Sequence, residues 1–215
     1  MPDLHLEKAF WDEGRRQVAG VDEAGRGCLF GPVVAAAVIL PPSVRDLSDD
    51  RSGWPAWLRE VNDSKLLSPA KRRRLALFIL QEAEAVGLGQ ASPEEIDRLN
   101  IHQASLEAMR RAVLGLNPRP EALLLDGFVL KVVDYPQRPV KGGDRVSVSI
   151  AAASIIAKVL RDEMMTRLDR VFSGFGLERH KGYGTREHYQ ALARLGPTVY
   201  HRRSFCLDHS FEAKN

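Results

Sequence analysis

The hydrophobic and polar positions of this chain mark out strands near its start and helices after them. Gln17 to Glu23 reads as a strand that stops at a glycine-rich turn. Phe30 to Leu40 is apolar and rich in Val and Ala, which predicts a buried strand. The short connection between the two favours an antiparallel hairpin. Pro41 to Asn62 mixes Pro, Ser, Asp and Gly with little periodicity and reads as a long surface loop.

Helix signals follow. Ser68-Pro69 supplies an N-cap and a proline at the first helical position. The apolar stripe behind it is Leu75, Phe78, Ile79, Ala83 and Val86, with Gly87 as the stop. Ser92-Pro93 repeats the start signal, and Ile101 to Leu116 forms a further helix after Asn100. Ala122 to Leu125 is a short apolar strand that runs into Asp126-Gly127. Val129 to Val140 reads as strand plus loop, with Pro136 and Pro139 limiting its pairing. Ser149 to Phe172 is a long helix whose first turns are rich in alanine, suited to close packing on a sheet. Thr185 to Leu195 is a short helix closed by Gly196-Pro197. This order predicts an α/β fold with a mixed sheet and a helical C-terminal region.

Composition narrows the class. The 215 residues suffice for one substantial core, or a core with a small appendage, and 44% hydrophobic content argues against a disordered chain. The longest apolar run, Val33 to Leu40, is far shorter than the roughly 20 residues of a membrane span. The N-terminal stretch carries acids and lacks an apolar h-region, so no signal peptide is expected and the cytoplasm is the default location. Cys28 and Cys206 are in no metal-ligand spacing and read as reduced thiols. The net charge of +3 permits a nucleic-acid partner without demanding one.

The acids carry the chemistry. Asp22 and Glu23 are adjacent at a strand end and should point to opposite faces. Asp126 ends the strand LLLD, and Asp144 follows Gly142-Gly143 just before the long helix. Strand ends are where α/β sheets place their sites. Four carboxylates brought together would resist ionisation unless a cation joined them. Oxygen-only ligands suggest Mg2+ or Mn2+, and two such ions suit an in-line phosphoryl displacement. On spacing alone these acids could equally be scattered caps and surface charges. Asp162, mid-helix beside Arg161, is either a rival ligand or half of a structural ion pair.

Gly25 and Gly27 flank Arg26 and admit two readings. They make a tight turn, or their bare backbone lets a ligand such as a ribose 2′-OH come close. Lys65, Lys141, Arg179, Lys181, Arg202 and Arg203 sit in loops and could hold phosphates. The run Lys71 to Arg74 reads as a solvated helix face. Tyr183, between glycines in HKGYGT, is either a stacking residue or an ordinary packed one.

Taken together, AGVDEAGRG, VNDSKLLS, NIHQASLEAMRRAV, LLLDG, KGGD, SIAAASIIAKVLRD and HKGYGT closely resemble the ribonuclease HII family, in the family's order and over roughly residues 17 to 190. The resemblance implies an RNase H-like fold: a catalytic core over 1–172 and a helical, substrate-binding extension over 173–215. It implies an endoribonuclease acting on RNA/DNA hybrids and on single ribonucleotides in duplex DNA. The cut falls 5′ to the ribonucleotide and leaves 3′-OH and 5′-phosphate ends, a step in ribonucleotide excision repair. The family's metal-binding acids map onto Asp22, Glu23, Asp126 and Asp144, with two Mg2+ or Mn2+ ions. Its substrate contacts map onto Gly25, Arg26, Gly27 and Tyr183, and also onto Ser64 and Lys65.

GRGCLFGP departs from the family's usual GRGPLAGP at Cys28 and Phe30, which bears on packing under the turn and leaves the acids intact. A monomer is expected. Relatives can dock to a sliding clamp through a C-terminal peptide, and the tail HRRSFCLDHSFEAKN shows no clear version of one. Two other readings remain: a nuclease of the same fold acting on branched DNA, and a non-catalytic duplex-binding module.

Overall fold

The computed structural model describes residues 1–48 and 51–207. Helix α1 (His5–Asp12) precedes strands β1 (Val18–Ala24) and β2 (Val33–Ile39). Helices α2 (Ala56–Glu60) and α3 (Pro69–Glu82) lead to β3 (Ala85–Ala91). Then come α4 (Pro93–Leu99), α5 (Ile101–Leu114), β4 (Ala122–Asp126) and β5 (Gln137–Val140). The long α6 (Val148–Val171) is followed by α7 (Leu177–His180) and α8 (Arg186–Leu195). The helix starts obey their caps: Ser68, Ser92, Asn100, Ser147 and Thr185 each accept a backbone N–H in the first turn.

The five strands form one mixed sheet in the order β3-β2-β1-β4-β5. β1, β2 and β3 are antiparallel neighbours, while β4 lies parallel to β1 and β5 parallel to β4. Alternation along each strand supplies two cores. Ala36 and Val38 face α6, α3 and the Trp54–Val61 segment. Val21, Ala35 and Ala37 face α4 and α5. α6 presses onto β1 so closely that a Cβ on Gly20 would lie 2.1 Å from the Ser149 carbonyl carbon. α5 does the same to β3, where a Cβ on Gly87 or Gly89 would lie 2.0 or 2.1 Å from a helix carbonyl oxygen. Glycine in these strands is a packing requirement.

Three expectations need correction. Gly87 does not stop α3: the helix ends at Glu82, and Val86 and Gly87 belong to β3. Residues 41 to 62 are not a plain surface loop, because Val44, Trp54, Trp57, Leu58 and Val61 are buried against the α6 core and Ala56–Glu60 is helical. The Lys71–Arg74 run is not uniformly solvated, because Arg72 is buried and donates to the Ser64 and Leu67 carbonyls.

The N-terminal helix is tied to α6. The buried Glu7 carboxylate accepts from the Ser149 N–H (2.8 Å) and from the Ser147 and Ser149 hydroxyls (2.6 and 2.7 Å). It meets the positive end of α6. At the other end, Phe175, Leu177, Ala191 and Leu192 pack with Phe30 and Met165. Among the described residues no helix is long and apolar enough to cross a membrane.

Candidate active site

The parallel pairing of β1 with β4 sets Asp22 and Asp126 at neighbouring strand ends. Gly143 N–H donates to Asp126 Oδ1 (2.8 Å), which brings the Gly143–Arg145 turn and Asp144 alongside. Glu23 follows Asp22 on the other face of β1. Asp22 and Asp144 are 5% and 3% exposed. Burial, then the charges of Glu23 and Asp126, push the Asp22 carboxyl well above the usual carboxylate range. Burial raises Glu23 as well, against the pull of Arg26 and with the push of Asp126. Asp144 is raised by burial, then by Asp63 and Asp126. The four acids therefore act on one another electrostatically.

Such a set fits a hard cation. Every donor is a carboxylate oxygen, each charge resists its neighbours, and Glu23 Oε2 is buried with no hydrogen-bond partner. The side chains do not stand as a closed cage: among the described residues, no three acids, histidines or cysteines are grouped so that they could hold an ion. Glu23 pairs with Arg26 (3.4 Å), and Asp126 Oδ1 accepts from the Gly143 N–H.

The turn after β1 is clamped from beneath. Gly25 has φ +95°, and a Cβ there would lie 1.9 Å from Arg161 Nε, so its glycine is structural. Gly27 has neither constraint: nothing lies within 4 Å of a Cβ built on it. Buried Arg161 donates to the Phe30, Pro32 and Lys181 carbonyls. Buried Arg202 donates to the Arg26 and Gly31 carbonyls (2.8 and 2.9 Å). Burial, then the charge of Arg161, lowers the Arg202 guanidinium to about 10, so it stays charged at neutral pH. Arg26 itself reaches outward and lies 4.6 Å over the Phe128 ring.

These features agree with what the chain is similar to. The sequence model described as Ribonuclease HII matches residues 19–208. The chain belongs to the ribonuclease HII family. It is therefore a ribonuclease H, a phosphodiester hydrolase. The Ribonuclease HII of Moorella thermoacetica is 52% identical over 199 residues, covering 93% of this chain and 91% of the relative. The crystal structure of ribonuclease H2 from Pyrococcus horikoshii OT3 superposes with a TM-score of 0.70 at 25% identity, covering 89% of this chain and 94% of the other. Bst-RNase HIII in complex with Mn2+ shares the fold, with a TM-score of 0.62 at 23% identity over 89% of this chain and 67% of the other.

The remaining positions singled out in this ribonuclease H fall in three groups. Lys65 is exposed, with Nζ 3.9 Å from Asp144 Oδ2. Tyr183 is 43% exposed; its backbone bridges Cys28, and Lys158 Nζ lies 5.8 Å over its ring. Ser64 is buried instead, bonded through Oγ to Ser154 Oγ (2.8 Å), and Ser154 in turn bonds the Asp22 side chain. Asp162 is an ion pair, though not with Arg161: Lys158 (2.7 Å) and Arg72 (3.2 Å) hold it.

Several neighbours of the site escaped sequence reasoning. Asp63 is buried, accepts from the Lys65 N–H (2.9 Å) and faces Asp144. An Asx-type turn signal, Asp before Ser-Lys, was present to find it. Ser154 and Arg161 had no such signal, and Arg202, expected to hold phosphate, is instead buried on the Arg26 and Gly31 carbonyls; nothing local marks a buried polar residue whose partners are distant in sequence. The clamp-docking expectation rests on the tail, and residues 208–215 lie outside those described.

Proposed function

We propose that this ribonuclease H cuts RNA in RNA/DNA hybrids and single ribonucleotides embedded in duplex DNA. The cut falls on the 5′ side of the ribonucleotide and leaves 3′-OH and 5′-phosphate ends. The observation that carries the reading is a turn with open backbone at Gly27, beside mutually repelling acids from the ends of β1 and β4 and from the Gly143–Arg145 turn. Asp22, Glu23, Asp126 and Asp144 would hold two divalent cations, Mg2+ or Mn2+, and the Mn2+ complex of Bst-RNase HIII supports that choice. Such ions, when bound, supply Lewis-acid charge to the oxygens entering and leaving phosphorus.

The chain's own groups do the rest. Ser154, backed by Ser64, orients Asp22. Asp63 shapes the turn that carries Lys65 towards a phosphate. Arg202 fixes the Arg26 carbonyl, while Arg161 packs under Gly25 and ties the Phe30 and Pro32 carbonyls beyond the turn, so its backbone would meet a 2′-OH without reorganisation. Tyr183 offers an exposed ring for stacking on a sugar or base. Residues 173–207, seated on Phe30 and α6, serve as the described part of a substrate-binding extension over 173–215.

The test is cleavage of a DNA duplex carrying one ribonucleotide, beside an all-DNA duplex, each with Mg2+ and with chelator. A metal-dependent cut only 5′ to the ribonucleotide is expected. Cleavage of an all-DNA junction would move the activity to branched DNA. Binding without any cut in Mg2+ or Mn2+ would leave a duplex-binding module.

A further inference from the structure

The site described so far leaves a row of cations further along α6 without a task. A groove runs between the first turn of α3, the C-terminal half of α6 and residues 178–181. Its basic residues are Arg72, Arg73, Arg167, Arg170, Arg179 and Lys181, and its acids are Asp162, Glu163 and Glu178. Several of these are committed. Asp162 takes Arg72 and Lys158, Arg179 pairs with Glu187, and Lys181 Nζ donates to Thr166 Oγ1 (2.9 Å). Arg73, Arg167 and Arg170 are exposed and, among the described residues, have no hydrogen bond or ion pair.

Arg167 and Arg170 stand three apart on one helix, where like charges repel. The groove's basic residues outnumber its acids, Asp162, Glu163 and Glu178, and a net basic concave groove suits a polyanion. A chain of buried hydrogen bonds also links the groove to the carboxylate site. Arg72 bonds the Ser64 carbonyl, Ser64 bonds Ser154, and Ser154 holds Asp22. Lys158 bridges Asp162 in the groove to the Tyr183 ring.

We infer that this groove is a second phosphate-binding surface, which holds the backbone of the duplex arm several base pairs from the scissile bond. The inference rests on the function proposed above. α6 sets the reach. Ser154 and Arg170 are sixteen positions apart on it, about 24 Å at the helical rise. That span corresponds to roughly seven base-pair steps of duplex. One arm of the substrate is thus gripped as far as about seven base pairs from the cut.

The test compares wild type with the Arg167→Ala/Arg170→Ala double variant. Both positions are exposed and lie outside the carboxylate site, and thermal melting checks that the fold is kept. Duplex binding is read by fluorescence anisotropy in chelator, over a salt series, so it does not depend on turnover. The slope of log Kd against log salt should fall by about two in the variant. With Mg2+, KM should rise roughly tenfold or more and kcat at saturation should stay unchanged. Trimming one duplex arm below about seven base pairs should weaken wild type but not the variant.

An unchanged salt slope and KM in the double variant would overturn the inference. So would loss of oligoglutamate binding with duplex binding intact, which would assign the groove to an acidic protein partner. Failure of wild type to cut any ribonucleotide-containing duplex would instead overturn the parent function, while the binding arm still reads the groove.

Discussion

Replacing Gly27 with alanine separates a structural turn from a substrate-approached one. A methyl at this position meets nothing within 4 Å, and Gly27 is not among the positive-φ glycines. Alanine should therefore leave stability unchanged or raise it by up to about 1 kcal/mol, through a less flexible unfolded chain. That is a shift in Tm of no more than roughly 4 °C upward for a protein of this size.

If a ribose packs against this backbone, the same methyl intrudes on the substrate. Overpacking by one methyl costs about 1–3 kcal/mol, or roughly 5- to 150-fold in kcat/KM. Gly25→Ala is the contrast. Its Cβ would lie 1.9 Å from Arg161 Nε at φ +95°, and would disturb a guanidinium that serves three carbonyls. Backbone strain of about 1–2 kcal/mol and lost buried bonds of about 1–3 kcal/mol should lower Tm by roughly 4–20 °C. The assays are thermal melting and steady-state cleavage of the single-ribonucleotide duplex. A Gly27→Ala enzyme with wild-type Tm and wild-type kcat/KM would show that no substrate comes near this backbone.

Three further outcomes are expected. Asp126→Asn should lower kcat by orders of magnitude, and in chelator it should melt no earlier than wild type, because it removes a charge that raises Asp22, Glu23 and Asp144; near wild-type turnover would remove Asp126 from the chemistry. Gly20→Ala must push α6 about 1 Å or more away from β1, a strain of about 1–3 kcal/mol or more; a urea midpoint equal to wild type would contradict the close approach. The buried His188–His201 pair (Nε2···Nε2 3.1 Å) is pushed down to about 4 at each ring, mainly by burial. Below pH 6.5 the unfolded chain takes up protons that the folded pair refuses, so the pair's contribution to stability is lost as pH falls from 6.5 towards 4, by up to about 1.4 kcal/mol per pH unit for each histidine. The site carboxylates titrate in the opposite sense, so the readout is the urea midpoint of wild type against His201→Gln between pH 7.5 and 5; parallel curves would rule out the effect.

Much of the sheet and of the candidate site was legible because the signals are local. A stop at a glycine-rich turn marked β1, a continuous Val- and Ala-rich run marked β2, small residues marked the start of α6, and acids at strand ends pointed to the candidate site. β3 was misread because Gly87 and Gly89 serve α5 packing there, and a glycine after an apolar stripe looks the same as a helix stop. Residues 41–62 carry their tryptophans without a period, so burial against α6 left no trace in the pattern. The interior cations are the hardest case. Arg161 and Arg202 answer carbonyls from distant turns, and a guanidinium in a sequence reads as a surface charge.

The β1–β4 pairing also governs when the enzyme comes into being. Val18 pairs with Ala122, a closure of about 100 residues that is entropically later than the more local β1–β2 hairpin. Asp22 and Asp126 stand on opposite sides of that seam. A chain that has formed its hairpin but not the seam already has part of its sheet and, on the proposed site, would have no nuclease. Pulsed hydrogen exchange should therefore protect the β1–β2 amides first, with activity returning only as the β4 amides close. With the proposed carboxylate site, a nascent or partly unfolded copy would lack the paired acids until this seam closes.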